Sequence, residues 1–94
     1  MKNKIEMLCL NAICDDYENL IQIKEDIQRS LGYPPEDKEI RLCLTKLVEK
    51  GYAEVFEYDR TTLKYVKSVL SNDNWDDEWF LITGKGRIEL DKIS

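Results

Sequence analysis

Lys38, Arg41, Thr45 and Lys46 fall toward one side of a helix if residues 36–50 are helical. Lysine and arginine can bind phosphate or the edge of guanine, and threonine can meet either a phosphate or a base. Grouped on one outward face, such side chains suit contact with a nucleic acid. Glu36, Asp37, Glu39 and Glu49 on the same helix repel phosphate. Leu42 falls near the middle of the face. It could touch a thymine methyl or anchor a protein partner, where full burial contributes about 1.5–3 kcal/mol.

Other chemistry finds little support. The chain has no histidine, so it has no imidazole base and no imidazole metal ligand. Cys9, Cys14 and Cys43 lack paired metal-ligand spacing. The GKG of residues 84–86 is a fragment of a helix start, not a phosphate loop. Asp73, Asp76, Asp77 and Glu78 read as a solvated acidic loop rather than a divalent-cation site. Trp75 and Trp79 flank that loop, covering a core edge or lining a surface for a partner. The expectation is no enzyme and no cofactor.

Ninety-four residues make one domain, residues 1–94. Fourteen basic and 19 acidic side chains give a net charge of −5, which opposes indiscriminate binding to phosphate backbones or anionic membranes. Residues 20–50 hold six of each sign, so the whole excess lies outside them. Three cysteines cannot all pair within one chain. They read as buried thiols in a reducing cytoplasm, with a redox sensor as the alternative. Lys2 and Lys4 precede IEMLCLNAIC, but Glu6 and Asn11 break that run, so neither a signal peptide nor a membrane span is expected.

Periodicity supplies the elements. Over residues 3–15, Ile5, Leu8, Cys9, Ala12 and Ile13 recur at helical spacing. Met7, Leu10 and Cys14 fall on another side, so this helix is either sandwiched in its own domain or shared with a second copy. Asn19 or Asp16 can cap a second helix, in which Leu20, Ile23, Ile27 and Leu31 line one face and Gly32 forms the stop. Pro34 and Pro35 turn the chain, and Pro35 suits the first position of the next helix. In the third helix, residues 36–50, Ile40, Cys43, Leu44, Leu47 and Val48 share the inner face, and Gly51 ends it.

Residues 52–58 alternate as a strand, and 78–83 can pair with it antiparallel. Between them, Leu63, Val66 and Leu70 suit a short helix, while Tyr65, Val69 and the β-branched content suit a strand. Either way the segment is too apolar for a free linker and is expected to pack on the sheet. Thr83 can cap a last helix, GKGRIELDKI, with Lys85, Arg87 and Lys92 exposed.

Two stretches carry a resemblance. LTKLVEKGYAEV resembles the end of a recognition helix running into a wing strand, and FLITGKGRIEL resembles the second wing strand and its following helix. Together with the first two helices they cover about four fifths of the chain and are similar to winged helix-turn-helix proteins of the broad MarR/PadR-like type. The resemblance implies an α+β fold: three helices, a two-stranded wing with a long loop, and a C-terminal helix. It implies a DNA-binding transcription regulator, usually a dimer, with helix 36–50 as the recognition helix. Double-stranded DNA would meet Lys38, Arg41, Thr45 and Lys46, with Arg60, Lys64 and Lys67 of the wing toward phosphate. The wing tip departs from the pattern, being acidic where a DNA-contacting wing is basic. The alternative is an acidic winged-helix module that binds a protein at Leu42 or near Trp75 and Trp79. A homodimer through the first helix is expected.

Overall fold

The computed structural model describes residues 4–70 and 75–93. Its order is α1 (Lys4–Ala12), β1 (Glu18–Asn19), α2 (Leu20–Leu31), α3 (Asp37–Glu49), β2 (Ala53–Asp59), β3 (Lys64–Lys67), a 3-10 turn (Trp75–Asp77), β4 (Glu78–Ile82) and α4 (Gly84–Ile93). The class is α+β, with four helices and a four-stranded antiparallel sheet in the order β1-β4-β2-β3.

The expected two-stranded wing is therefore replaced by a larger sheet. Two pairings account for the difference. Glu18 and Asn19 pair with Phe80 and Trp79, a ladder too short to carry any alternation in sequence. Residues 64–67 resolve the choice between helix and strand: they form a hairpin with β2, matching Tyr58 to Tyr65 and Phe56 to Lys67. In its turn Asp59 accepts a hydrogen bond from the Thr61 N–H at 2.9 Å, and Leu63 adopts a left-handed φ of 58°. β4 pairs with β2 over five residues, as the alternation predicts.

The helices are set by their ends. Asn19 accepts from the Gln22 N–H at 2.9 Å, and Gln22 accepts from the Asn19 N–H at 3.0 Å. This reciprocal cap starts α2 and is worth about 1 kcal/mol. Gly32, at φ 84°, stops it. Pro35 is not the first helical residue. It is buried, and Glu36 after it is extended at ψ 141°, so α3 starts at Asp37. At the other end Gly51 (φ 79°) donates to the Val48 carbonyl and Tyr52 to the Leu47 carbonyl, a left-handed stop. Because the Tyr52 N–H is used there, β2 begins at Ala53.

α1 ends at Ala12, earlier than its apolar pattern. The next carbonyls are taken elsewhere: Ile13 accepts from the Ile82 N–H at 3.1 Å, and Cys14 accepts from the Arg87 guanidinium. α1 packs against α2, α3 and α4. Leu10, expected on a second outer side, is fully buried with Cys9 and Ile13, so that side meets the chain's own core. The core joins these residues to Ile23, Ile27, Ile40, Leu44, Leu47, Val55 and Phe80. Ala53, Val55, Phe80 and Ile82 are inward apolar residues of the sheet.

Candidate nucleic-acid interface

The outer side of α3 exists because its inner side is consumed. Ile40, Cys43, Leu44 and Leu47 are buried, and Val48 is half-buried. That leaves Lys38, Arg41, Leu42 and Lys46 exposed, with Leu42 at 56%. The Arg41 guanidinium carbon lies 5.6 Å from the Trp75 ring centroid. Trp75 is itself buried and stacks on Phe80 at 5.8 Å. A cation over a tryptophan face is held more firmly than a free surface arginine.

Thr45 is half-buried, and its hydroxyl donates to the Arg41 carbonyl at 2.7 Å. Its proton is thus committed within the helix. What remains are lone pairs, which can accept from a base amino group but have nothing to give a phosphate oxygen.

The acids at the start of α3 are not all equal. Asp37 pairs with Lys24 of α2 at 2.7 Å, and that hydrogen bond holds its carboxyl below the ordinary value of 3.8. Glu39 and Glu49 are exposed. Beyond the helix end, Lys50 reaches the buried carboxylate of Glu6 at 3.9 Å.

The three basic residues expected on a wing do not form one patch. Arg60 is exposed in the β2–β3 turn. Lys64 and Lys67 are three residues apart on β3, so they point to opposite faces of the sheet. Lys67 pairs with Glu54 at 3.2 Å. Of the acidic loop, Asp73 lies outside the described residues. Asp77 is exposed, and Glu78 is buried on the inner face. The two tryptophans divide: Trp75 belongs to the core, the first of the two places expected for it, and Trp79 is half-buried on the outer face of the sheet.

That outer face carries a feature the sequence hid. Tyr17 stacks on Tyr65 at 3.9 Å and meets Phe56 edge-on at 4.9 Å. Tyr65 also meets Tyr58 at 5.1 Å and Trp79 at 5.3 Å. Burial and the nearby Asp16 carboxylate push the Tyr65 phenol up. The one signal was the alternation that puts Phe56 and Tyr58 on the same side. Tyr17 sits in a polar break and gives no sign of its role.

Among the described residues, no three His, Cys, Asp or Glu side chains gather to hold a metal, and no helix is long and apolar enough to cross a membrane. No family model, curated protein or solved structure matches the chain.

Proposed function

We propose that the chain binds double-stranded DNA through the outer side of α3, as a winged-helix regulator of transcription. One observation carries this reading: Lys38, Arg41 and Lys46 are exposed together on one helix, with Arg41 braced on Trp75. The pairing of Asp37 with Lys24 removes one repulsive charge from the end that would enter the groove first. Arg41 is the base-reading candidate, because a braced guanidinium can bind guanine in two-point fashion. Lys38 and Lys46 supply phosphate contacts. The net charge of −5 makes non-specific affinity weak, so specificity has to come from few contacts.

The test is duplex binding from a random-sequence pool at low salt, followed by salt titration. Lys38→Ala or Lys46→Ala is expected to weaken all sequences and lower the salt slope by about 1. Arg41→Ala is expected to relax preference at one position by about 1–3 kcal/mol. No shifted complex at low salt would remove the proposal.

A second reading has its own observation, the 56% exposure of Leu42 at the centre of the same face. There α3 would dock a protein, and Leu42→Asp would abolish capture while DNA has no effect. A homodimer would set two α3 helices one DNA turn apart. With Leu10 in the core, the apolar residues that α1 offers such a contact are half-buried ones, Met7 foremost. Sedimentation at micromolar concentration decides it, and a monomer ends the argument for a palindromic site.

A further inference from the structure

At the open end of the sheet, on the aromatic side, lies a cavity of about 460 Å³ lined by Glu57, Tyr58, Arg60, Asp77 and Trp79. Its volume falls in the range of small-molecule sites. Among the described residues that line it, Asp77 brings a carboxylate, Arg60 a guanidinium, and Tyr58 and Trp79 two aromatic rings. We propose that this cavity binds a free aromatic α-amino acid as its zwitterion.

Three features point there. The charges are unspent: among the described residues, neither Asp77 nor Arg60 enters an ion pair. Both signs are present, so a ligand with a single charge would satisfy one side and be repelled by the other. An ammonium fits Asp77, and a carboxylate fits the fork of Arg60; Glu57, paired with Glu78, turns its side chain to the inner face.

The rings are fixed before any ligand arrives. Tyr58 and Trp79 both lean on Tyr65, at 5.1 and 5.3 Å, and Tyr65 is stacked on Tyr17. A planar side chain placed against such braced rings costs them little order. The ammonium gains a further attraction from the aromatic faces. The turn bearing Arg60 is held by the Asp59–Thr61 hydrogen bond.

The choice of a free amino acid follows from charge. A peptide terminus carries only one of the two charges beside its side chain, whereas a free amino acid carries both on one carbon. DNA plays no part in this site.

The experiment uses the intact chain and two-dimensional NMR, reading the Trp79 indole N–H and the Tyr58 amide. The probes are L-phenylalanine, phenethylamine, which lacks the carboxylate, and 3-phenylpropanoate, which lacks the ammonium. L-phenylalanine is expected to shift both signals with a sub-millimolar dissociation constant, and each analogue to bind at least about tenfold more weakly. Arg60→Ala is expected to weaken the amino acid about tenfold and leave phenethylamine unchanged. Asp77→Asn is expected to weaken the amino acid and phenethylamine but not 3-phenylpropanoate. Arg60 and Asp77 are exposed, so both variants should keep the wild-type circular dichroism. No shift with L-phenylalanine at about 10 mM would overturn the proposal. So would an analogue that binds as well as the amino acid, which marks a sticky aromatic patch and nothing more.

Discussion

Gly86→Ala tests the joint between the helical layer and the sheet. Gly86 is the third residue of α4, where sequence alone would recommend alanine. A helix-interior glycine costs about 1 kcal/mol relative to alanine. The packing reverses that sign. A Cβ on Gly86 would run into the Tyr52 carbonyl oxygen and lie 2.9 Å from both the Tyr52 carbonyl carbon and Ile82 Cγ1. Carbon contacts are comfortable from about 3.5 Å, so two neighbours would each be roughly 0.6 Å too close. One is backbone and the other a core side chain, and neither can swing away. Overpacking costs about 1–3 kcal/mol, and this case belongs at the upper end. The same oxygen accepts the Thr83 N–H at 3.0 Å, a bond worth about 1 kcal/mol that any retreat of Tyr52 would lose. After the helical gain is credited, the net loss is about 3 kcal/mol, or a fall in Tm of about 12 °C or more. Gly84→Ala is the control, since nothing lies within 4 Å of a Cβ there. It should leave Tm unchanged or raise it. Thermal unfolding followed by circular dichroism reads both variants. A Gly86→Ala protein at or above the wild-type Tm would refute the close approach of α4 to Tyr52.

Two further outcomes come from the titratable groups. The Asp37 carboxyl is depressed by its bond to Lys24, so the stabilisation is present above the ordinary value of 3.8 and is lost as pH falls through the lower folded value. Urea midpoints of wild type and Lys24→Ala should therefore differ at pH 6, by no more than about 0.5 kcal/mol for so exposed a pair, and converge in acid. A gap that survives at pH 2 would contradict the assignment. Among the thiols, Cys14 is half-buried while Cys9 and Cys43 are buried. Burial and the Asp15 carboxylate push the Cys14 thiol up, and a hydrogen bond to Cys43 together with burial pushes Cys9 much further. A native-state thiol assay at pH 8 should find one slow equivalent and release the other two only in denaturant. Prompt reaction of all three would mean that the contact between α1 and α3 opens readily.

The helices and the β2–β4 pair were legible because their signals are local. Gly32, Gly51 and Thr83 mark their element ends in the sequence as they do in space. The larger sheet was not legible, for different reasons at its two edges. β1 has two residues and gains its definition only from β4, some sixty positions away. β3 was balanced between two periodicities until β2 supplied hydrogen bonds that a helix could not use. Leu10 looked peripheral because a wheel shows angles, not neighbours, and α1 is packed by three other helices that its own wheel cannot foresee. The exposed residues of α3 followed directly from its apolar stripe. The aromatic face did not, since Tyr17, Phe56, Tyr65 and Trp79 come from four separate segments.

The strand order β1-β4-β2-β3 also bears on how the chain is made. β4 is the last strand in sequence, yet it sits between two earlier ones. While residues emerge from a ribosome, β1 and β2 are both finished before the strand that joins them exists. Their inward edges stay open until residue 82 is free. Phe80, at the centre of the core, arrives with that same strand. Sheet completion and the filling of the core's centre are therefore a single event, and it comes late. Until then the nascent chain carries two unpaired edges and a gap where its largest fully buried side chain belongs, a state that invites capture by chaperones or by another nascent copy.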